Sequence, residues 1–273
     1  MSMNNFEKTK YFNKTFGILV NEVYDSKLFT NNWGVVKYRL DLIQEEISEL
    51  EDGIKKNSFL EVLDALADIL YVVFGFGVTL GINIDNEFKK KFSNFEKNDF
   101  ELVKDMYSTQ DDGSKFSGKL EGANFEAIKE IVKQIRELYN QLFDISKDTE
   151  KEDDVKQTII TQLLLDITYF CYYVSCIIKV DMNYVFNLVH EANMTKACAT
   201  EELAKATVEK YLQEKDSYNG EGEYPYQFPE YRASEDGKYW IIFNNDKRKN
   251  PKFAGKILKS MNWVEANFSE FNV

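Results

Sequence analysis

Two groups of acidic residues are the part of this chain best suited to chemistry. Glu45, Glu46 and Glu49 form an EExxE pattern, and Glu61, Asp64 and Asp68 follow after a short break. At about 100° per residue, the first three fall at roughly 0°, 100° and 40° around a helix, and the second three at roughly 0°, −60° and −20°. Each set therefore occupies one arc. Six carboxylates brought face to face repel one another unless a cation lies among them. Oxygen donors without histidine or cysteine select a hard cation, Mg²⁺ or Mn²⁺. A solvated acidic face is the plainer reading of EExxE alone. Against it, Ile69 to Ile82 carry no charge, so the second arc runs into apolar surface, where an unpaired carboxylate is costly.

The elements that must position these acids read as helices. Leu40, Ile43, Ile47, Leu50 and Ile54 predict a helix over Val36 to Lys56. Asn57-Ser58 breaks it, with Ser58 as N-cap and Glu61 as its capping-box partner. A second helix is predicted from Phe59 to Leu80, closed by Gly81, and a third is capped by Asp85. A short antiparallel connection brings the two acidic arcs within reach of each other. Helical pattern resumes over Ala123 to Ile145, Thr158 to Val180, Met182 to Lys196 and Glu201 to Lys215. The three prolines, Pro225, Pro229 and Pro251, all fall after these helices. Tyr239 to Phe243 and Gly255 to Ser260 read as two short strands of a small β appendage. The expected organisation is a first helical repeat over 1–107, a polar linker over 108–122, a second repeat over 123–217 and a C-terminal segment over 218–273.

Composition narrows the function classes. The 273 residues include 34 Lys+Arg and 46 Asp+Glu, a formal charge of −12, which argues against nucleic acid or an anionic membrane as partner. Apolar residues at 44% can fill a core. No uncharged apolar run approaches the roughly 18 residues of a membrane span. The start lacks a signal peptide's apolar stretch, and Cys171, Cys176 and Cys198 form no CxxC pair, so a cytoplasmic protein is expected. The single histidine, His190, excludes the paired ExxH motifs of di-iron bundles.

The layout contains a degenerate repeat. Asp68-Ile-Leu-Tyr71 reappears as Asp166-Ile-Thr-Tyr169, and Glu49-Leu50 as Glu137-Leu138. Glu45, Glu46, Asp64 and Glu61 are matched by Lys133, Gln134, Gln162 and Ile159, so only Glu137 and Asp166 persist as acids. Asn193 and Lys196 are matched by Phe95 and Asn98. One copy would hold the cation and the other would supply polar and cationic groups, giving one site per chain.

Four motifs in order carry a family resemblance. Arg39-Leu-Asp-Leu-Ile-Gln-Glu-Glu46, Asp64-Ala-Leu-Ala-Asp-Ile-Leu-Tyr-Val-Val73, His190-Glu-Ala-Asn-Met-Thr-Lys196 and Gly255-Lys-Ile-Leu-Lys-Ser260 resemble the all-α nucleoside triphosphate pyrophosphohydrolases. These are the MazG-like enzymes and dimeric dUTPases, in their phage or viral form. The resemblance implies an all-α, MazG-like bundle of two repeats, acting in the nucleotide pool of an infected cell's cytoplasm. It implies hydrolysis between the α- and β-phosphates of a (deoxy)nucleoside triphosphate, with Mg²⁺ held by Glu46, Glu49, Asp64 and Asp68. Glu45 would take a proton from the attacking water. Lys196 would contact phosphate, Asn193 phosphate or sugar, and Lys256 and Lys259 would close over the phosphates or remain surface lysines. The family's second motif is commonly ExxD, but Ala65 stands where the Glu falls; Asp64 would substitute, with Glu61 behind it.

Other residues have plainer readings. His190 is a structural or supporting group rather than a catalyst. Trp33 either stacks on a base or closes the core, Trp240 and Trp263 anchor the β appendage, and Tyr169 to Tyr173 belong to core or interface, which leaves a homodimer open. Two rival functions are a dUTP-specific enzyme and a catalytically silent bundle that binds a nucleotide or a protein partner.

Overall fold

The computed structural model describes residues 3–93, 120, 122–245 and 255–271. In chain order the helices are α1 (Asn5–Thr15), α2 (Leu28–Asn31), α3 (Trp33–Lys56), α4 (Phe59–Leu80), α5 (Ile84–Ser93), α6 (Gly122–Lys147), α7 (Asp153–Ile178), α8 (Met182–Met194) and α9 (Glu201–Asp216). Strands β1 (Pro229–Ala233) and β2 (Trp240–Asn244) form a two-stranded antiparallel sheet. The fold is all-α with this small appendage. Most of the 108–122 stretch read as a linker lies outside the described residues, as do Phe95 and Asn98.

Two antiparallel hairpins, α3–α4 and α6–α7, pack against each other, α3 on α6 and α4 on α7. Arg136 on α6 crosses this seam to Glu51 (2.8 and 2.9 Å) and to Ser48 (2.9 Å) on α3. Helix α4 is the central rod: Leu63, Leu66, Leu70, Val73 and Phe74 are fully buried, and one apolar core runs through both hairpins. Helix α7 is, among the described helices, the one long and apolar enough to cross a membrane by composition. In this bundle 61% of that stretch is buried.

The first hairpin closes as its sequence dictates. Asn57 takes the left-handed conformation (φ 53°) that ends α3. The Ser58 hydroxyl accepts from the Glu61 amide, which starts α4. Only half of the expected capping box forms, because the Glu61 carboxylate turns to Lys56 Nζ at 2.8 Å. Asn83, not Asp85, caps α5, accepting from the Asn86 amide at 3.0 Å. Asp85 instead accepts from Asn4 and Lys89.

Three elements lie outside the expected set: α1, the short α2 and β1. Helix α1 buries polar residues among its apolar ones: Asn5 donates to Asn183 on α8 (2.7 Å) and to the Tyr172 hydroxyl on α7 (3.1 Å), tying the N-terminal helix to both. The ladder partner of β2 is Pro229–Ala233, and Gly255–Ser260, expected to pair with it as a strand, adds only an isolated antiparallel bridge, Phe243 to Ile257. Pro229 opens that strand, where a missing N–H is tolerated, but its polar composition gave no strand signal. The Gly255–Ser260 segment joins the other edge of β2, with Leu258 N donating to Ile242 O at 2.9 Å and Asn244 N to Lys256 O at 2.9 Å.

Gly81 ends α4 at φ 77°, and a Cβ there would lie 2.0 Å from the Val23 carbonyl oxygen. Gly81→Ala is expected to cost about 2 kcal/mol or more, seen as a melting temperature lower by roughly 4 °C or more. Asn57→Gly should change it by far less. Equal melting temperatures for Gly81→Ala and wild type would show that this turn adjusts freely.

Candidate active site

Helices α3 and α4 lie in a register that sets the acids opposite each other. Glu46 faces Asp68, and two turns further on Arg39 faces Gly75. A cavity of about 670 Å³ opens along this seam, within the usual range for small-molecule sites. Its walls include Glu45, Glu46, Glu49, Glu61, Asp64 and Asp68 from the first hairpin and Asn193 and Lys196 from the end of α8. Lys256, Lys259, Trp263 and Glu265 reach it from the C-terminal segment. The structure thus brings together every expected site residue except His190.

Glu46, Asp64 and Asp68 are partly buried with an open side toward the cavity, whereas Glu45, Glu49 and Glu61 are exposed. Among the described residues, none of Glu45, Glu46, Glu49, Asp64 and Asp68 makes an ion pair or hydrogen bond, and the acidity of several shifts accordingly. Burial, then the charges of Asp68, Glu49, Glu45 and Asp64, push the Glu46 carboxyl up to about 9. Burial and then Asp64 raise Asp68 to about 7, with Lys196 pulling the other way. Burial, Glu49 and Glu265 raise Asp64 to about 6. Glu49 is raised by partial burial and by Glu45. Lys196 is lowered by its own burial against the opposing pull of Asp68, and its Nζ donates to Asn193 Oδ1 at 2.5 Å.

The donor set fits a hard divalent cation in atom type and in unbalanced negative charge. The oxygens line one cavity without closing on one point: among the described residues, no three acidic, histidine or cysteine groups are gathered closely enough to hold a metal ion. Enclosure would require side-chain rotation, which long Glu side chains on neighbouring turns can supply. At the doubtful corner of the motif, Ala65 is buried in the core while Asp64 lines the cavity. Glu61 also lines it, but is engaged by Lys56.

The second hairpin is different in kind. Asp166, the counterpart of Asp68, accepts from Lys91 Nζ at 2.6 Å and from Gln162 Nε2 at 2.7 and 2.8 Å. A lysine and an amide satisfy that carboxylate with no ion needed.

His190 lies outside the cavity wall. Its Nδ1 hydrogen-bonds the Tyr71 hydroxyl at 3.1 Å, and burial lowers its pKa to about 4, so the ring is neutral at pH 7. It holds Tyr71, which does line the cavity. Trp33 packs at the core's edge rather than in the cavity. Trp240 joins the appendage as expected, bridging Cys198. Trp263 lines the cavity instead, with Lys259 Nζ 3.3 Å from its ring centre. The tail carrying these residues is pinned to α8: Ser260 Oγ donates to Thr195 O at 2.8 Å, and Val264 N to Thr195 Oγ1 at 3.0 Å. Arg39, Tyr38, Tyr71 and Glu265 were missed by the sequence reading. Arg39 had a signal, since it stands one heptad before Glu46 on the same helical stripe.

Residues 10–92, which span the first hairpin and all six acids, match the model of the phosphoribosyl-ATP pyrophosphohydrolase family. That family has an all-α fold of the MazG-like superfamily, and the match supports a nucleotide pyrophosphohydrolase activity. A viral relative extends the likeness beyond this domain: an uncharacterized protein of Acanthamoeba polyphaga mimivirus is 34% identical over 266 residues, 97% of this chain and 94% of that protein. The chain belongs to one family with that mimivirus protein. No solved structure matches it.

A carboxyl raised by folding keeps its proton longer when folded, so its contribution to stability falls as pH rises from the unfolded value to the folded one. His190 acts in the opposite sense, but only below its unfolded value of about 6.5. Between pH 6.5 and about 9, the metal-free protein should therefore melt at progressively lower temperature. Glu46→Gln should flatten that decline; an equally steep fall in the variant would place the cause elsewhere.

Proposed function

We propose that the protein is a divalent-cation-dependent nucleoside triphosphate pyrophosphohydrolase, with deoxynucleotides as preferred substrates. The observation that carries this reading is the facing pair Glu46 and Asp68, partly buried, without ion-pair partners and beside Lys196. Such an arrangement suits a polyphosphate accompanied by a cation. Glu46, Glu49, Asp64 and Asp68 would hold Mg²⁺, with Mn²⁺ as substitute. When bound, the ion would neutralise charge on the phosphate oxygens.

The chain's own groups supply the rest. Water attacks the α-phosphorus, the bond from that phosphorus to the bridging oxygen of the β-phosphate breaks, and a nucleoside monophosphate and pyrophosphate leave. Glu45, exposed at the cavity mouth, takes the proton of the attacking water. Lys196 binds phosphate, positioned by Asn193. Lys256 and Lys259 approach from the tail on the same side. The quenched Asp166 supports one working site per chain.

Purified protein with Mg²⁺ should release pyrophosphate from at least one common dNTP. Glu46→Gln and Asp68→Asn should each lower kcat by about 100-fold or more, the scale of a lost charge-stabilising group. Release of no pyrophosphate from any NTP or dNTP would end the proposal, and binding without cleavage would favour a silent nucleotide-binding bundle. A strong preference for dUTP over dCTP and dTTP would narrow it to a dUTPase. Independently of turnover, Mg²⁺ or Mn²⁺ should raise the melting temperature at pH 8.5 in the wild type. The double variant Glu46→Gln, Asp68→Asn should lose that rise. Titration should find one metal–nucleotide site per chain, and two equivalent sites would contradict the division of labour between the hairpins.

A further inference from the structure

The cavity has an aromatic corner away from the first hairpin. Tyr211 on α9 and Tyr226 in the segment before β1 both line it, with ring centres 5.6 Å apart and planes at 88°. Tyr226 is only partly buried, so its ring can be reached from the cavity. Both belong to the small core of the appendage, with Ile242 and Leu258, and not to the main core that holds Phe12 and Tyr71. This corner is built onto the segment that carries the tail lysines. Tyr211 Oη donates to Lys259 O at 3.0 Å. Asn244 N donates to Lys256 O at 2.9 Å, and Asn244 Nδ2 to Pro225 O, beside Tyr226, at 3.4 Å. Lys256 and Lys259 are exposed, and both lie within electrostatic reach of Lys196. Among the described residues neither makes an ion pair. Three ammonium groups on one wall repel one another and draw in a polyanion. The same segment meets α3, since the Tyr38 hydroxyl lies within electrostatic reach of both Lys256 and Glu45. A phosphate chain that leaves the acids along these lysines arrives at Tyr226.

We propose that Tyr226, supported by Tyr211, binds a second nucleobase, and that the protein accepts dinucleoside polyphosphates, in which one phosphate chain joins two nucleosides. This inference rests on the pyrophosphohydrolase reading and extends it to a chain esterified at both ends. An aromatic ring stacks on any base, because every base offers a π-face, so the corner tolerates a range of second bases. With a dinucleoside tetraphosphate, water attacks the phosphorus that bears the first nucleoside and gives a proton to Glu45. The bond from that phosphorus to its bridging oxygen breaks, and the leaving oxygen keeps the electron pair. The products are a nucleoside monophosphate and a nucleoside triphosphate, the latter released from the lysines and Tyr226. The acids and the broken bond are those of nucleoside triphosphate cleavage; only the group beyond the lysines differs.

The test sets the symmetrical bis(deoxynucleoside) tetraphosphates of adenine, guanine, cytosine, uracil and thymine against the matching deoxynucleoside tetraphosphates, with Mg²⁺ and the full chain. Each pair differs only in the second nucleoside. For the base that is cleaved, initial rates of monophosphate release should give a KM at least about tenfold lower for the dinucleoside compound, the scale of one stacked base. Tyr226→Ser should bring the two KM values together, and Tyr226→Phe, which keeps the ring, should hold them apart. Equal KM values in the wild type would overturn the inference and leave the pyrophosphohydrolase reading standing. So would like behaviour of Tyr226→Ser and Tyr226→Phe, or no cleavage of any dinucleoside compound while dNTPs release pyrophosphate. Cleavage of none of these compounds, dNTPs included, would sink both.

Discussion

Like-charge repulsion held in place by packing is the constraint on which this molecule turns. Helices α3 and α4 are locked together by Leu40, Ile43, Ile47, Leu63, Leu66 and Leu70, all fully buried. That apolar seam fixes Glu46 opposite Asp68, and neither carboxylate can retreat far without unpacking the core. The protein offers Lys196 as the partial answer to this charge, itself weakened by burial. Stability is thus sacrificed locally, and the surrounding bundle compensates.

The second hairpin shows what the same scaffold looks like when that conflict is resolved. Its surviving acid, Asp166, is satisfied by Lys91 and Gln162, and the seam between hairpins is fastened by Arg136 to Glu51. One hairpin keeps an electrostatic problem open; the other is a support that has closed its own. The carboxylate cavity is finished by residues from beyond the first hairpin, the end of α8 and the tail, which meet at Thr195.

Much of this was legible in the sequence where one physical rule dominates. The apolar stripe of α3 and the Ser58 and Gly81 punctuation gave both helices of the first hairpin nearly to the residue. The acidic arcs followed from helical geometry alone. What was hidden depended on tertiary partners. Helix α1 buries Asn5, Thr9 and Asn13 among its apolar residues, and the partners of Asn5 lie far along the chain, so no periodicity announces it. Strand β1 is a polar edge beginning with proline, and its β character comes from β2. Trp263 resembled an anchor because nothing local to the tail tells that it folds back over the acids. Arg39 opens the motif that ends at Glu46, but its burial and the missing partner of Nη2 are properties of the assembled bundle.

The cavity's walls run from Thr9 on α1 to Phe268 in the tail. Its formation therefore carries a large loop-closure cost, met only after the local hairpins exist. The bundle can condense from neighbouring helices quickly, whereas a competent pocket is a late event that waits for the two extremities to arrive together. Maturation of binding should lag behind the gain of helicity, and conditions that loosen the extremities would abolish recognition in molecules whose interior is still intact.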